Sequence, residues 1–216
     1  MGNKEQKNGP HIVGLTLKLI EKEDGEDLFH VVDDGEVRSY FADFNCTKEE
    51  ILEGIETLNN NPTNHSHWLL KSDVGTVGYI SLKKSISVFD FLNPAPPINY
   101  DDPDFSLDLE LDLSLEETRK RNKDEYDRKM LLAPYAIDII IHKDFRAKGV
   151  AHEAFLMVCK KALLDGITEI YLEIHKDNKP SLSWAQNKLG AILVGSPDNY
   201  FYPSDIFKIN LKHLLN

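Results

Sequence analysis

Alternation and helical spacing of apolar positions divide the chain into elements before any chemistry is considered. Leu15, Leu17 and Leu19 alternate with polar residues as a half-buried strand does. Glu26 to Val32 reads as a short helix, and Thr47-x-x-Glu50 is a capping box. The helix it opens carries the stripe Ile51, Leu52, Ile55 and Leu58 and ends at Asn59-Asn60-Asn61-Pro62. His67 to Lys71 and Thr76 to Lys83 predict two strands joined in a hairpin at Ser72-Asp73-Val74-Gly75. The isoleucine run from Ile137 to Ile141, interrupted only by Asp138, suits a mostly buried sheet position, because β-branched side chains pack well on a pleat. After it, Ala151, Ala154, Phe155, Val158, Ala162 and Leu163 recur at helical spacing, with Lys160 and Lys161 in the last turn and Gly166 as a left-handed stop. Glu169 to Ile174 predicts a second strand, and the intervening length fits a crossover, so the two strands are expected to be parallel neighbours. A helix from Leu182 to Leu189, closed by Gly190, precedes two final strands, Ala191 to Gly195 and Ile206 to Leu211.

The pattern is irregular between residues 84 and 133. Asn93-Pro94-Ala95-Pro96-Pro97 breaks regular structure, and Asp101 to Asp104 is acidic. Leu107, Leu109, Leu111, Leu113 and Leu115 alternate with mainly acidic partners, as an edge strand would, while Ser114-x-x-Glu117 alternatively caps a helix through Arg128.

Composition adds bounds. The 216 residues are 41% hydrophobic and 28% charged, which allows a single soluble domain with a sizeable core. A formal net charge of -11 argues against nucleic-acid or anionic-membrane partners and favours the approach of a cationic amine. No stretch reaches transmembrane length, no apolar segment follows Met1-Gly2-Asn3-Lys4, and Gln6 stands where a lipidation motif requires Ser or Thr. Cys46 and Cys159 are the two cysteines, and Cys159, on the inner edge of a helix, reads as core. A cytoplasmic protein is expected.

Candidate chemistry centres on the turn after the isoleucine strand. Lys143-Asp144-Phe145-Arg146-Ala147-Lys148-Gly149-Val150-Ala151 joins a buried strand to the first turn of a helix, so unpaired N–H groups converge on one point and an anion is expected there. Gly149 lacks a Cβ and admits a phosphate close to the backbone, and Arg146 and Lys148 add charge. From Lys143 to Lys148 there are three basic side chains and one acid, a local reversal of sign in an acidic protein. A strand, a glycine and a helix also occur in α/β proteins that hold no ligand there. Neither G-x-x-x-x-G-K-[ST] nor G-x-G-x-x-G is present.

Arg146-x-x-Gly149-x-Ala151, followed by Asn178-x-x-Ser181 and Lys188-Leu189-Gly190-Ala191, resembles the signatures of the GNAT superfamily, the general N-acetyltransferases that use acetyl-coenzyme A. Leu15 to Ile20, Asp24 to Leu28, Val37-Arg38-Ser39-Tyr40, and Trp68 leading to Val77-Gly78-Tyr79-Ile80-Ser81-Leu82 are similar to its ribosomal-protein N-terminal acetyltransferase branch. The resemblance covers most of the chain outside residues 84 to 133. It implies an α/β (α+β) fold, a mixed twisted sheet with helices on both faces and a splay between two central parallel strands. The expected organisation is a disordered tail at 1–11 and a single domain at 12–216 with an acidic insertion at about 84–133. That insertion would be a lid over the acceptor site, a homodimer contact or a solvated elaboration.

The implied reaction is direct acetyl transfer to a primary amine, a peptide N-terminus or a small molecule, with acetyl-coenzyme A as co-substrate and no metal. The resemblance places the thioester on N–H groups of Ile139, Ile140 and Ile141, the pyrophosphate on those of Arg146, Ala147, Lys148, Gly149, Val150 and Ala151, and the pantetheine arm on Asn178. Glu173 and Asp138, on the two central strands, are the candidate bases. Ser181 either protonates the departing thiolate or caps the helix that begins after Pro180. His175 reads as a strand-end residue, and Tyr200 and Tyr202 as candidate lining of an acceptor pocket. Two departures stand out: Gln186 occupies a position where some family members carry a Tyr, and Asn178 to Gly190 is one residue longer than usual. They leave a second reading, a coenzyme-binding regulatory or scaffolding module without catalysis.

Overall fold

The structure, a computed structural model, describes residues 12–40, 47–51, 53–54, 65–94, 115–197 and 203–215. The expectations for the tail at 1–11, Cys46, Leu52, Ile55, Leu58, residues 95–114 and Tyr200 to Tyr202 lie outside these residues. The chain forms two compact units, Met1–Lys83 with Tyr135–Asn216, and Lys84–Pro134. Among the described residues no helix is long and apolar enough to cross a membrane.

The larger unit begins with strand β1 (Thr16–Leu19), a 3₁₀ turn at Lys22–Asp24, and helices α1 (Gly25–Val32) and α2 (Gly35–Tyr40). The hairpin follows as β2 (His65–Ser72) and β3 (Gly75–Lys84). In the smaller unit, α3 (Ile86–Leu92) is capped by Ser85, whose Oγ accepts from Val88 N at 3.3 Å, and α4 spans Leu115–Leu132. Helix rather than strand prevails from Leu115 onward. Residues 116 to 130 are mostly Glu, Lys, Arg and Asp, many of them good helix formers, and carry no period-two apolar positions. Lys129 ties the two helices by an ion pair to Asp90 at 3.0 Å and braces α4 through Glu125 at 3.3 Å.

The larger unit resumes with β4 (Tyr135–Ile141), a 3₁₀ turn at Lys143–Phe145, α5 (Val150–Leu164), β5 (Glu169–His175), α6 (Lys179–Leu189), β6 (Ile192–Gly195), β7 (Ser204–Asn210) and the short α7 (Leu211–Leu214). Its seven strands form one mixed sheet in the order β1-β2-β3-β4-β5-β7-β6. β4 and β5 are the parallel pair, and β1–β2, β2–β3, β5–β7 and β6–β7 are antiparallel.

Period-two alternation sorts the central strands between two core layers. Ile137 and Ile141 of β4, with Ile170, Leu172 and Ile174 of β5, pack against Ala154, Phe155 and Val158 of α5 and Ala185 of α6. Ile140, Leu69 and Tyr79 pack on the opposite face against Leu28, Val31, Val32 and Val37 from α1 and α2. Helices therefore cover both faces of the sheet. Each fully buried side chain of this kind, Phe155 for example, contributes about 1.5–3 kcal/mol of burial free energy. Cys159 is fully buried in the α5 layer, and burial pushes its thiol up to about 12.

Two boundaries differ from the sequence expectation because side-chain caps act earlier than the apolar pattern suggests. α6 begins at Lys179: Asn178, not Ser181, is its cap, with Asn178 Oδ1 accepting from Ser181 N at 3.2 Å. Pro180 is tolerated there because a first-turn N–H has no intrahelical acceptor. The last strand stops at Asn210, whose Oδ1 accepts from Lys212 N and His213 N at 3.0 and 3.2 Å, so Leu211 starts α7 instead of ending β7.

Candidate active site

β4 and β5 share a single parallel register pair, Ala136 with Tyr171, and then part. On its other side β4 stays close to β3. A Cβ on Gly78 would lie 2.5 Å from Ile140 O, so only glycine permits this approach. His142 N donates to Val77 O at 3.0 Å, which continues the contact. Main-chain groups of a strand alternate sides, so those of Ile140 turn to β3, while the N–H groups of Ile139 and Ile141 face the gap that β5 leaves. Of the three residues expected to position a thioester, Ile139 and Ile141 therefore present their N–H groups to the gap.

The gap widens into a cavity of about 480 Å³ lined by Ile137 to Ile141, Leu172 to His175, Arg146, the turn at Gly149 to His152, and one face of α6. At its β4 end the turn reverses through two left-handed residues, Ala147 at φ 59° and Gly149 at φ 84°. The first is costly for a residue with a side chain, about 1–2 kcal/mol. At Gly149 a Cβ would meet nothing within 4 Å, so the φ angle calls for glycine and the open space leaves room for a ligand. Glu153 N donates to Gly149 O at 3.1 Å, but among the described residues no acceptor meets the N–H groups of residues 147 to 152. They lie at the positive end of the α5 dipole, an arrangement that suits an anion; of the residues expected to supply such amides, Arg146 instead donates its N–H to Lys143 O at 3.4 Å.

The basic side chains of the turn do not share that arrangement. Lys148 Nζ donates back to Asp144 O at 2.7 Å and lies over the Phe145 ring. Arg146 donates through Nε to Ile141 O at 2.9 Å, through Nη2 to Asp34 Oδ2 at 3.0 Å, and through Nη1 to Glu36 Oε2. The Glu36 N–H, and after it Arg146, hold the Asp34 carboxyl below the usual carboxylate range against an opposing effect of burial.

Asp138 and Glu173 lie on the same sheet face and both line the cavity. Their surroundings differ: Asp138 Oδ2 meets Lys83 Nζ at 2.7 Å and Ser81 Oγ at 3.3 Å, whereas Glu173 Oε1 accepts from the Ser204 hydroxyl at 2.8 Å. Asn178 and Ser181 stand at the start of α6 on the cavity wall. His175 Nδ1 accepts from Asp177 N at 3.1 Å, and its ring lies 5.4 Å from that of Tyr40.

Glu36, Tyr40, His152 and Trp184 are among the lining residues that carried no assigned role in the sequence reading. Trp184 was the accessible one, since it stands three residues after Ser181 and shares its helix face. Among the described residues, Trp184 Nε1 and His152 Nδ1 are buried without a hydrogen-bond partner, two polar atoms in a cavity wall that a ligand can satisfy.

Two parallel strands thus part around a cavity, and at its mouth lies a turn whose amides meet no acceptor among the described residues. Residues 131–191 match the model of the acetyltransferase (GNAT) family. An uncharacterized protein (bh2621) from Bacillus halodurans superposes with a TM-score of 0.64 at 12% identity, over 93% of this chain and 85% of that one. The ribosomal L7/L12 alpha-N-protein acetyltransferase RimL in complex with coenzyme A gives 0.61 at 11% identity, over 93% and 96%. A spermidine N-acetyltransferase SpeG chimera from Vibrio cholerae and hSSAT gives 0.59 at 14% identity, over 94% and 98%. No curated protein matches the sequence.

Proposed function

We propose that this protein transfers an acetyl group from acetyl-coenzyme A to a primary amine by direct attack within the gap between β4 and β5. The single observation that carries the reading is the coincidence of that gap with the unpaired amides of residues 147 to 152 at its mouth. The residues present fit the coenzyme: the amides would hold the diphosphate, Gly149 leaves room for it, and the α6 wall at Asn178, Ser181 and Trp184 would flank the pantetheine arm. The N–H groups of Ile139 and Ile141 would polarise the thioester carbonyl, which supplies the activated acetyl group.

Holding both reactants in one gap lowers the barrier by roughly 7–11 kcal/mol at best, so no covalent nucleophile is required. The amine must lose a proton. An α-amino group, with a reference pKa of about 8, needs less help than a lysine side chain at about 10.4. Glu173 is the better-placed base: the Ser204 hydroxyl orients its carboxylate, whereas the Asp138 carboxylate already neutralises the Lys83 ammonium. Ser181, on the α6 wall of the cavity, would return a proton to the thiolate.

With Glu36 paired to Arg146 and Asp138 to Lys83, the Glu173 carboxylate is the lining group that suits a cationic acceptor. The relatives named above act on a ribosomal-protein N-terminus and on spermidine, so either a peptide α-amine or a small amine fits the same chemistry. The test is thiol release from acetyl-coenzyme A across a panel of N-terminal peptides, polyamines and amino sugars, with acetylated products identified by mass spectrometry. Acetylation of a primary amine is the expected result. Tight coenzyme binding without turnover across the panel would replace this reading with that of a binding module.

A further inference from the structure

α2 crosses the mouth of the cavity and is held at both sides by residues that the reaction itself does not require. Glu36 and Tyr40, four residues apart, share one face of this helix. Glu36 pairs with Arg146 on the turn after β4, and Tyr40 meets His175 at the end of β5. Asp34, just before α2, takes the other amino group of the same guanidinium, and α1 adds a second fastening where His30 stacks on His142 with ring centroids 4.6 Å apart. Val37 and Tyr40 line the cavity, so whatever fixes α2 also fixes one wall of the acceptor space.

We infer that Arg146 is a positioning residue that buckles α2 across the gap between β4 and β5, and that the diphosphate seat is formed by main-chain amides without its charge. All three guanidinium nitrogens already donate, to Ile141 O, Asp34 and Glu36. Six amides remain for the anion. Three of its five N–H groups are committed in this way, so an arginine serving as a phosphate ligand would have to take up a further anion beside two carboxylates or turn away from them, whereas one serving as a buckle keeps every contact it has. The inference rests on the reading of the preceding subsection for the identity of the anion alone; the strap itself does not depend on it.

The experiment measures two quantities in R146Q, R146K and the D34N/E36Q double variant: coenzyme A affinity by calorimetry, and hydrogen exchange of amides 35 to 40 in the free protein. R146Q and D34N/E36Q are each expected to speed exchange at 35 to 40 at least tenfold while changing coenzyme A affinity less than threefold. The triple variant should add nothing further, and R146K should restore part of the protection. With the amine acetylated in the panel, R146Q should raise its KM more than it lowers kcat. Coenzyme A binding weakened tenfold or more in R146Q, or unchanged exchange at 35 to 40, overturns the assignment. A wild-type protein that does not bind coenzyme A removes the function proposed above, and the exchange data still decide the strap.

Discussion

The two sides of the cavity are built from different materials. On the β4–α5 side the working groups are main-chain amides, shaped by backbone conformation at Ile139, Ile141, Ala147 and Gly149. On the side formed by α2 and the face of β5 they are side chains: Glu36, Tyr40, Glu173 and His175. On the function proposed above, the first side would select a ligand part common to every acyl-coenzyme A, and it is sensitive to shape. The second would meet the acceptor, and it is sensitive to residue identity. A fold divided this way can change acceptor without disturbing its donor seat.

That contrast can be broken from either side. The largest expected effect is on the side-chain face, where E173Q should lower kcat by about 10²–10⁴-fold and remove the acidic limb of the pH–rate profile. An unchanged profile excludes Glu173 as the base. Next comes the main-chain face: G149E should weaken coenzyme A binding on the order of 100-fold in calorimetry, since it places an anion at the diphosphate seat and a side chain at φ 84°. Retained affinity would move the seat elsewhere. G78A should destabilise the protein by about 1–3 kcal/mol in urea unfolding, because its Cβ would lie 2.5 Å from Ile140 O.

The smallest effect concerns the stack that joins α1 to the turn. Burial first, then His30, Lys143 and Arg146, lower the His142 pKa, with Asp144 acting in the opposite direction. A histidine whose folded value lies below its unfolded value of about 6.5 leaves stability intact above that pH and removes it as pH falls toward the folded value. Wild-type protein should therefore lose more urea stability between pH 7.5 and 5.5 than H142N. Equal losses would show that His142 does not contribute.

The elements of the β4–α5 side were legible in the sequence because their signals are local. An isoleucine strand, a glycine turn and a helical stripe are contiguous from Ile137 to Leu163, and their periods differ enough to be told apart. The acceptor side was not, because its contacts join distant residues: Glu36 and Arg146 are 110 positions apart, and neither carries a mark of the other. Asn178 and Ser181 illustrate an intermediate case, in which two competent cap residues stand three apart and only the observed hydrogen bond selects Asn178. Leu115 illustrates another. It closes an alternating leucine pattern and opens α4, and the charged residues after it decide in favour of the helix.

Cys159 lies on the buried face of α5, with a thiol pushed up to about 12. At neutral pH almost none of it is thiolate, the form that attacks electrophiles. A catalyst that handles an activated thioester is thereby spared acylation of this residue, and reagents that tag accessible sulfhydryls should pass it by until the molecule unfolds.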